Sequence, residues 1–288
     1  MSIAKILVPL TGSKKDSVSL DTAFALAKRL GAFVDAMFVH PDSREAIPIS
    51  DMPISPEIIQ EIIDLAEASR KAAADAARES FSMAAARWDV KIVSVPEKSA
   101  GIAATYREKI GHLRDVLRRE ACLSDLVVFP NMVGTDSENV RHALTDVLVR
   151  YHRPVLLCAE SAPKSVGRAA LIGWDGGDAA AEALMAAMPI LEKSEAVQLA
   201  CVRPTNDTKH PLREAQEYLL LHGVKACETM IAPPQQPIAD ELLDTAAASG
   251  YDLLVCGGYG HSQVMETVFG GTTDYLLSHA DVPLFLAH

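Results

Sequence analysis

Apolar residues in this chain fall into short unbroken runs, separated by longer stretches where they recur every three or four positions. The short runs read as strands buried on both faces, and the intervening stretches as amphipathic helices. Over the first 160 residues the pattern predicts strands near 4–10, 33–39, 91–95, 125–129 and 154–158, with helices near 16–30, 56–88, 100–121 and 137–151. Leu20, Ala23, Phe24 and Ala27 form the apolar stripe of the first helix. From Glu57 to Val95 there is neither Gly nor Pro, and Ile59, Ile62, Ile63, Ala66, Ala73, Ala77, Phe81 and Ala84 recur at helical spacing, so the second helix is unusually long. Its apolar positions, Ile58, Ile62 and Leu65 included, are expected in the core, with a partner surface as the alternative.

Beyond residue 160 the pattern repeats, with strands near 169–174, 196–202, 225–231, 252–256 and 283–287 and helices near 178–192, 211–222, 237–249 and 272–279. Alternating strands and helices of this kind build βαβ units, with helices over both faces of a parallel sheet. The two halves also open and close alike. Lys5-Ile6-Leu7-Val8-Pro9 corresponds to Ala169-Ala170-Leu171-Ile172-Gly173, Asp125-Leu126-Val127-Val128 to Asp252-Leu253-Leu254-Val255, and Arg153-Pro154-Val155-Leu156-Leu157 to Val282-Pro283-Leu284-Phe285-Leu286. A repeat of domain length is a tandem duplication and not a solenoid. The turn-rich, aperiodic segment from Glu160 to Gly167 places the division near Ser161, giving domains 1–160 and 161–288.

Charge and cysteine usage narrow the function classes. With 27 Lys+Arg against 38 Asp+Glu the formal charge is −11, which argues against nucleic acid or an anionic membrane as partner. Five cysteines, with no CxxC or Cys/His pair at metal spacing, read as small buried hydrophobes in a reducing compartment. No stretch approaches the roughly 18 apolar residues of a membrane span, and Ile6-Leu7-Val8-Pro9-Leu10 is too short for a signal peptide core, so a cytoplasmic protein is expected.

Candidate chemistry concentrates between Gly257 and Thr273, which leaves the carboxyl end of a predicted strand and enters a predicted helix, where parallel sheets place ligands. Gly257, Gly260, Gly270 and Gly271 permit close backbone approach, and Thr272 and Thr273 add hydroxyls to the N–H groups of a helix N-terminus, a combination that suits phosphate. A plain connecting loop with a capping threonine has the same composition. The chain lacks GxxxxGK[ST], and Gly258-Tyr259-Gly260 lacks the third glycine of GxGxxG.

The spacing Gly257, two residues, Gly260, nine residues, Gly270 resembles the universal stress protein family, whose nucleotide-binding members carry G-x2-G-x9-G-[ST] before the last helix. The resemblance extends to Trp174-Asp175-Gly176, to Ala200-Cys201-Val202, to the Ala280–Leu286 closing segment and to the Lys5–Pro9 opening, and so spans essentially the whole chain. It implies an α/β chain of two tandem flavodoxin-like domains, each a five-stranded parallel sheet flanked by helices, packed as an intramolecular pseudo-dimer through their last strands, with further homodimerisation left open. It also implies an adenine-nucleotide site: Asp175 and Val202 at the nucleoside, Gly257, Gly260 and Gly270 at the phosphates. Gly271 stands where the family has Ser or Thr, so Thr272 or Thr273 must supply the hydroxyl. In the first half Thr11 replaces the aspartate, and Pro130-Asn131-Met132-Val133-Gly134-Thr135 does not reproduce the glycine loop, which marks that half as a degenerate, structural partner.

Other residues carry less. His261 lies in the loop and can reach a phosphate, although loop histidines are ordinarily solvated. The remaining histidines show no HExxH or paired spacing, so no metal site is expected, and neither Ser13 nor Ser262 belongs to a GxSxG. Asp175 at a strand-to-helix turn suits a cap or a binding contact better than a catalytic base. The leading expectation is a stress-response regulatory module that binds ATP, with Mg²⁺ entering only with ATP. A slow Mg²⁺-dependent ATPase or self-phosphorylating protein, and a nucleotide-free module that binds an unidentified protein partner, are the alternatives.

Overall fold

A computed structural model describes residues 2–41, 55–96, 101–132, 138–201, 209–230, 237–259 and 271–288. The first half comprises β1 (Lys5–Leu10), α1 (Lys15–Leu30), β2 (Phe33–His40), α2 (Pro56–Arg87), β3 (Lys91–Ile92), β4 (Ala103–Ile110), α3 (Leu113–Glu120), β5 (Leu126–Phe129), α4 (Glu138–Thr145) and β6 (Val155–Leu157). The second comprises β7 (Ala169–Trp174), α5 (Asp178–Leu191), β8 (Ala196–Cys201), α6 (Leu212–Leu221), β9 (Ala226–Met230), α7 (Ile238–Ser249), β10 (Leu253–Gly257), α8 (Gly271–His279) and β11 (Leu284–Ala287).

Among the described residues all eleven strands form one sheet, in the order β3-β4-β2-β1-β5-β6-β11-β10-β7-β8-β9. Each half is a parallel α/β unit of five strands, with β3 added as a two-residue edge in the first. The halves meet where β6 and β11 pair antiparallel, Leu157 opposite Leu284, Leu156 opposite Phe285 and Val155 opposite Leu286. All six residues are fully buried. The apolar cores are likewise continuous across the junction. One face of the sheet packs α1, α2, α5 and α6 into a single cluster, and the other face does the same with α3, α4, α7 and α8. At the carboxyl ends of α1 and α5 the halves clasp each other: Arg29 Nη2 donates to the Lys193 carbonyl at 2.7 Å, and Lys193 Nζ donates to the Arg29 carbonyl at 2.7 Å. Cations at helix carboxyl ends are favoured by the free carbonyls there.

The segment 160–167 is tied down as it crosses between the halves. Val166 is fully buried and Ser165 Oγ donates to Asp252 at 2.5 Å. No described helix is long and apolar enough to cross a membrane.

Three sequence expectations are corrected here. The helix expected over 100–121 is instead β4 followed by the short α3, and the strand expected over 91–95 shrinks to β3. Ala103–Ile110 pairs with β2 along its length, and its charged residues are used by distant partners. Arg107 Nε donates to Asp35 Oδ1 at 2.8 Å and its Nη2 reaches Glu120 at 2.7 Å, while Lys5 also lies 3.0 Å from Asp35. Cys122 and Cys227 are exposed rather than buried, leaving Cys158, Cys201 and Cys256 inside. Burial pushes the Cys158 thiol up to about 11 and the Cys256 thiol up to about 12. Since the thiolate is the reactive form, a thiol reagent at mildly alkaline pH is expected to modify Cys122 and Cys227 and spare the other three. Mass spectrometry of the labelled peptides checks this, and labelling of Cys256 in the native protein would contradict the packing.

The expectation for α2 holds only in part. Ala74, Ala77, Phe81 and Ala84 are buried, and the Trp88 indole at the helix end donates to Asp21 Oδ1 at 2.8 Å. The first sixteen residues of the helix, roughly 24 Å at 1.5 Å per residue, run beyond the buried face. There Ile58 is 50% exposed and Leu65 72% exposed, so these two are not core residues.

Candidate functional site

The carboxyl ends of β7 and β10 frame the candidate site in the second half, and Gly176 and Gly177 make its tightest turn. Gly176 has φ +77°, a conformation glycine adopts without Cβ strain, and the Gly177 amide donates to Asp175 Oδ1 at 2.8 Å. This Asx turn holds the exposed Asp175 carboxylate at the entrance to α5. Behind it Trp174 is buried, and its indole donates to the His210 carbonyl at 3.3 Å. The His210 amide in turn donates to the Gly176 carbonyl at 2.9 Å, so the chain entering α6 lies against the turn. Asp178, first residue of α5, accepts from Lys209 and lies 3.0 Å from His210 Nε2. The Lys209 ammonium, then His210, hold the Asp178 carboxyl below its ordinary value.

The other side of the mouth is formed by β10 and the start of α8. A Cβ on Gly257 would sit 2.6 Å from the Ala179 carbonyl carbon and the Ala180 nitrogen, so β10 and α5 approach too closely for any side chain. That contact accounts for Gly257 by packing. A Cβ on Gly258 would meet Leu148 of the first half at 2.8 Å, and the Gly258 carbonyl accepts from His288 Nδ1 at 2.8 Å. Tyr259 follows with φ +56°, and its amide donates to Thr273 Oγ1 at 3.2 Å. Thr273 is buried and clasps the two ends of the loop together. Gly271 and Thr272 are exposed at the start of α8, and nothing lies within 4 Å of where a Gly271 Cβ would project. Asp274 in the first turn of α8 would repel an anion, but Arg141 of α4 pairs with it and also reaches Ser278 at 3.2 Å.

Among the residues expected at the site, Asp175, Gly257, Gly271, Thr272 and Thr273 are thus placed around one mouth. Val202, Gly260, His261 and Gly270 lie outside the described residues. Sequence reasoning missed Lys209, His210, Asp178 and Arg141. The pairing of Arg141 with Asp274 crosses 133 positions and leaves no local signal, whereas Asp178 as the first residue of a predicted helix was a readable cue.

The equivalent position in the first half is closed. Gly12 has φ +76°, and a Cβ there would lie 2.4 Å from the Ala73 carbonyl oxygen of α2, so the helix backbone rests on the turn. Asp16, almost fully buried, accepts from the Thr11 and Gly12 amides at 2.9 and 2.8 Å. Burial pushes its carboxyl up despite those two amides, which act the other way. Lys15 Nζ donates to the Asn131 carbonyl at 3.1 Å, across the space between the ends of β1 and β5.

Residues 168–288 match the model of the universal stress protein family. No curated protein matches the chain in sequence. Among solved structures, a universal stress protein from Archaeoglobus fulgidus DSM 4304 is similar over 99% of this chain and 96% of its own, at 15% identity and a TM-score of 0.66. A putative universal stress protein from Pseudomonas aeruginosa UCBPP-PA14 is similar over 99% of this chain and 93% of its own, at 13% identity and a TM-score of 0.57. At such identities the likeness is one of fold.

Proposed function

We propose that this chain, whose residues 168–288 form a universal stress protein domain, is a stress-response regulatory protein that binds ATP or another adenine nucleotide in its second half. The observation that carries the reading is the contrast between the two halves. After β1 a Cβ on Gly12 would run into the α2 backbone and Asp16 is buried under the turn, while after β7 the Asp175 carboxylate, with Gly271 and Thr272 at the start of α8, is exposed at one mouth. Asp175 would take the nucleoside hydroxyls, with Val202 at the base. The amides of Gly271 and Thr272, with the Thr272 hydroxyl, would take phosphate at the positive end of α8, and Gly260, His261 and Gly270 complete the loop. Arg141 assists by neutralising Asp274. Mg²⁺ would arrive with ATP and relieve charge on its phosphates. We divide the chain near Ser161, with 1–160 as the half whose own site is closed.

A calorimetric titration of Mg²⁺-ATP into the full chain and into an Asp175→Ala, Gly260→Val double variant tests this. Binding by the parent, weakened roughly tenfold or more in the variant, about 1.4 kcal/mol or above, is the expected result. The absence of heat with the parent, together with an unmoved melting temperature, would overturn it.

A second reading, the nucleotide-free interaction module, draws support from Gly257 and Thr273. Both match the nucleotide pattern, yet packing on α5 and the clasp on Tyr259 explain them without a ligand. The same titration separates the two readings.

A further inference from the structure

The part of α2 that runs beyond the sheet has no role in the site of the second half, yet its apolar residues are not scattered. Ile58, Ile62 and Leu65 follow one another at intervals of four and three, and Ser69, Ala72 and Ala76 continue the same register. That is the spacing of a seam that pairs with another helix. Ile58 is 50% exposed and Leu65 72% exposed, with Ile62 half-buried between them. The inward face of α2 is a different one, carried by Ala74, Ala77, Phe81 and Ala84. Single exposed apolar residues are ordinary on a protein surface, whereas a row of them in register marks a contact.

The charges beside the row are of one sign. At 100° per residue Glu57, Glu61, Asp75 and Glu79 stand roughly 70–110° from its midline, on one edge of the helix, and all four are exposed. None of the four forms an ion pair with a described residue. The cations of α2 lie elsewhere. Lys71 and Arg78 stand roughly 150–170° from the row, and Arg78 pairs with Glu108. Arg70 is turned to His40, and Arg87 at the far end of the helix lies 3.3 Å from Asp21. From Pro56 to Ser69 the helix holds Glu57, Glu61, Asp64 and Glu67 and no Lys or Arg.

We propose that the free part of α2 docks an amphipathic helix of a partner protein, apolar along the seam and carrying Lys or Arg on the flank that meets Glu57 and Glu61. The spacing of the row selects a helix over a strand, and the acidic edge selects a basic one. A second copy of this chain is a poor occupant, because each copy brings a charge of −11 and an antiparallel pair sets the acidic edge against itself. An anionic membrane is repelled by the same edge. Exposed Ser69 and Ala72 leave room for a partner backbone to come close. The surface belongs to the first half and is independent of nucleotide binding in the second.

The test is a fluorescence anisotropy titration of the full chain with a synthetic three-heptad peptide, Leu at its seam positions and Lys on both flanks. Its controls are the same peptide with Glu in place of Lys and a Lys peptide of shuffled order. The Lys peptide is expected to bind, and both controls to bind roughly tenfold more weakly or worse. Leu65→Asp is expected to cost a similar factor and Glu61→Lys a severalfold one. Leu221→Asp, a change at a leucine 86% exposed on α6, is expected to bind as the parent does. Unchanged melting temperatures of the three variants establish that they are folded. The proposal is overturned if the Lys peptide does not bind at sub-millimolar concentration, if either control peptide binds as well, or if Leu65→Asp binds like the parent. Sedimentation of the parent is expected to show a monomer, and a dimer that Leu65→Asp dissociates would overturn the proposal by giving the row to a second copy.

Discussion

Replacing Phe285 by alanine is expected to lower the unfolding free energy by about 3–5 kcal/mol, the usual cost of emptying a fully buried phenylalanine site. Phe285 is 0% exposed and sits opposite Leu156 in the one antiparallel pairing among the described strands, at the seam of the two halves. Its neighbours cannot collapse freely into the gap, because β6 and β11 are held in register by their ladder and covered by helices of both halves. A loss of this size corresponds to a fall in melting temperature on the order of 10 °C. Scanning calorimetry of the parent is expected to show one transition, since both core layers run through the seam, and the variant to show the same single transition moved down. Two resolved transitions in the parent, with only the second moved by Phe285→Ala, would mean that the halves fold separately.

Gly12→Ala is expected to destabilise by about 3 kcal/mol, combining the left-handed backbone penalty of roughly 1–2 kcal/mol with an overpacking cost of roughly 1–3 kcal/mol. The matched control is Gly223→Ala. Gly223 has φ +77°, nearly that of Gly12, but nothing lies within 4 Å of its missing Cβ. Only the backbone penalty applies there. The difference between the two variants in urea unfolding therefore reads how firmly α2 rests on the β1 turn. Equal losses would show that the helix can withdraw, and that the closed site of the first half is open to adjustment.

Much of this architecture was legible because buried parallel strands are continuous apolar runs. Leu126–Phe129 and Leu253–Gly257 announce themselves, and their echo in sequence discloses the duplication. The pairing of the last strands agrees with the pseudo-dimer that the family resemblance implied. Ala103–Ile110 was hidden because its Arg107, Glu108 and Lys109 imitate a solvated helix face, when Arg107 and Glu108 are consumed by Asp35, His40 and Arg78. No local window contains those partners. The glycine spacing in the second half was readable as a pattern but not as a cause. Gly257 is explained by the proximity of α5, a contact that no spacing rule encodes. For α2, periodicity predicted a helix correctly, yet it could not tell where along the helix the sheet stops, and so misplaced Ile58 and Leu65.

The reciprocal clasp of Arg29 and Lys193 has a consequence for how such a protein can diversify. In a homodimer with an isologous seam, every residue at one side appears again at the other, and any change is made twice. Here the chain is its own partner, so the effective concentration of one half for the other does not depend on how much protein is present. Position by position the halves are released from identity: an arginine answers a lysine across the seam, and α2 lies over one turn while the chain entering α6 lies against its counterpart. Dilution should leave the sheet intact, and substitutions tolerated in one half need not be tolerable in the other.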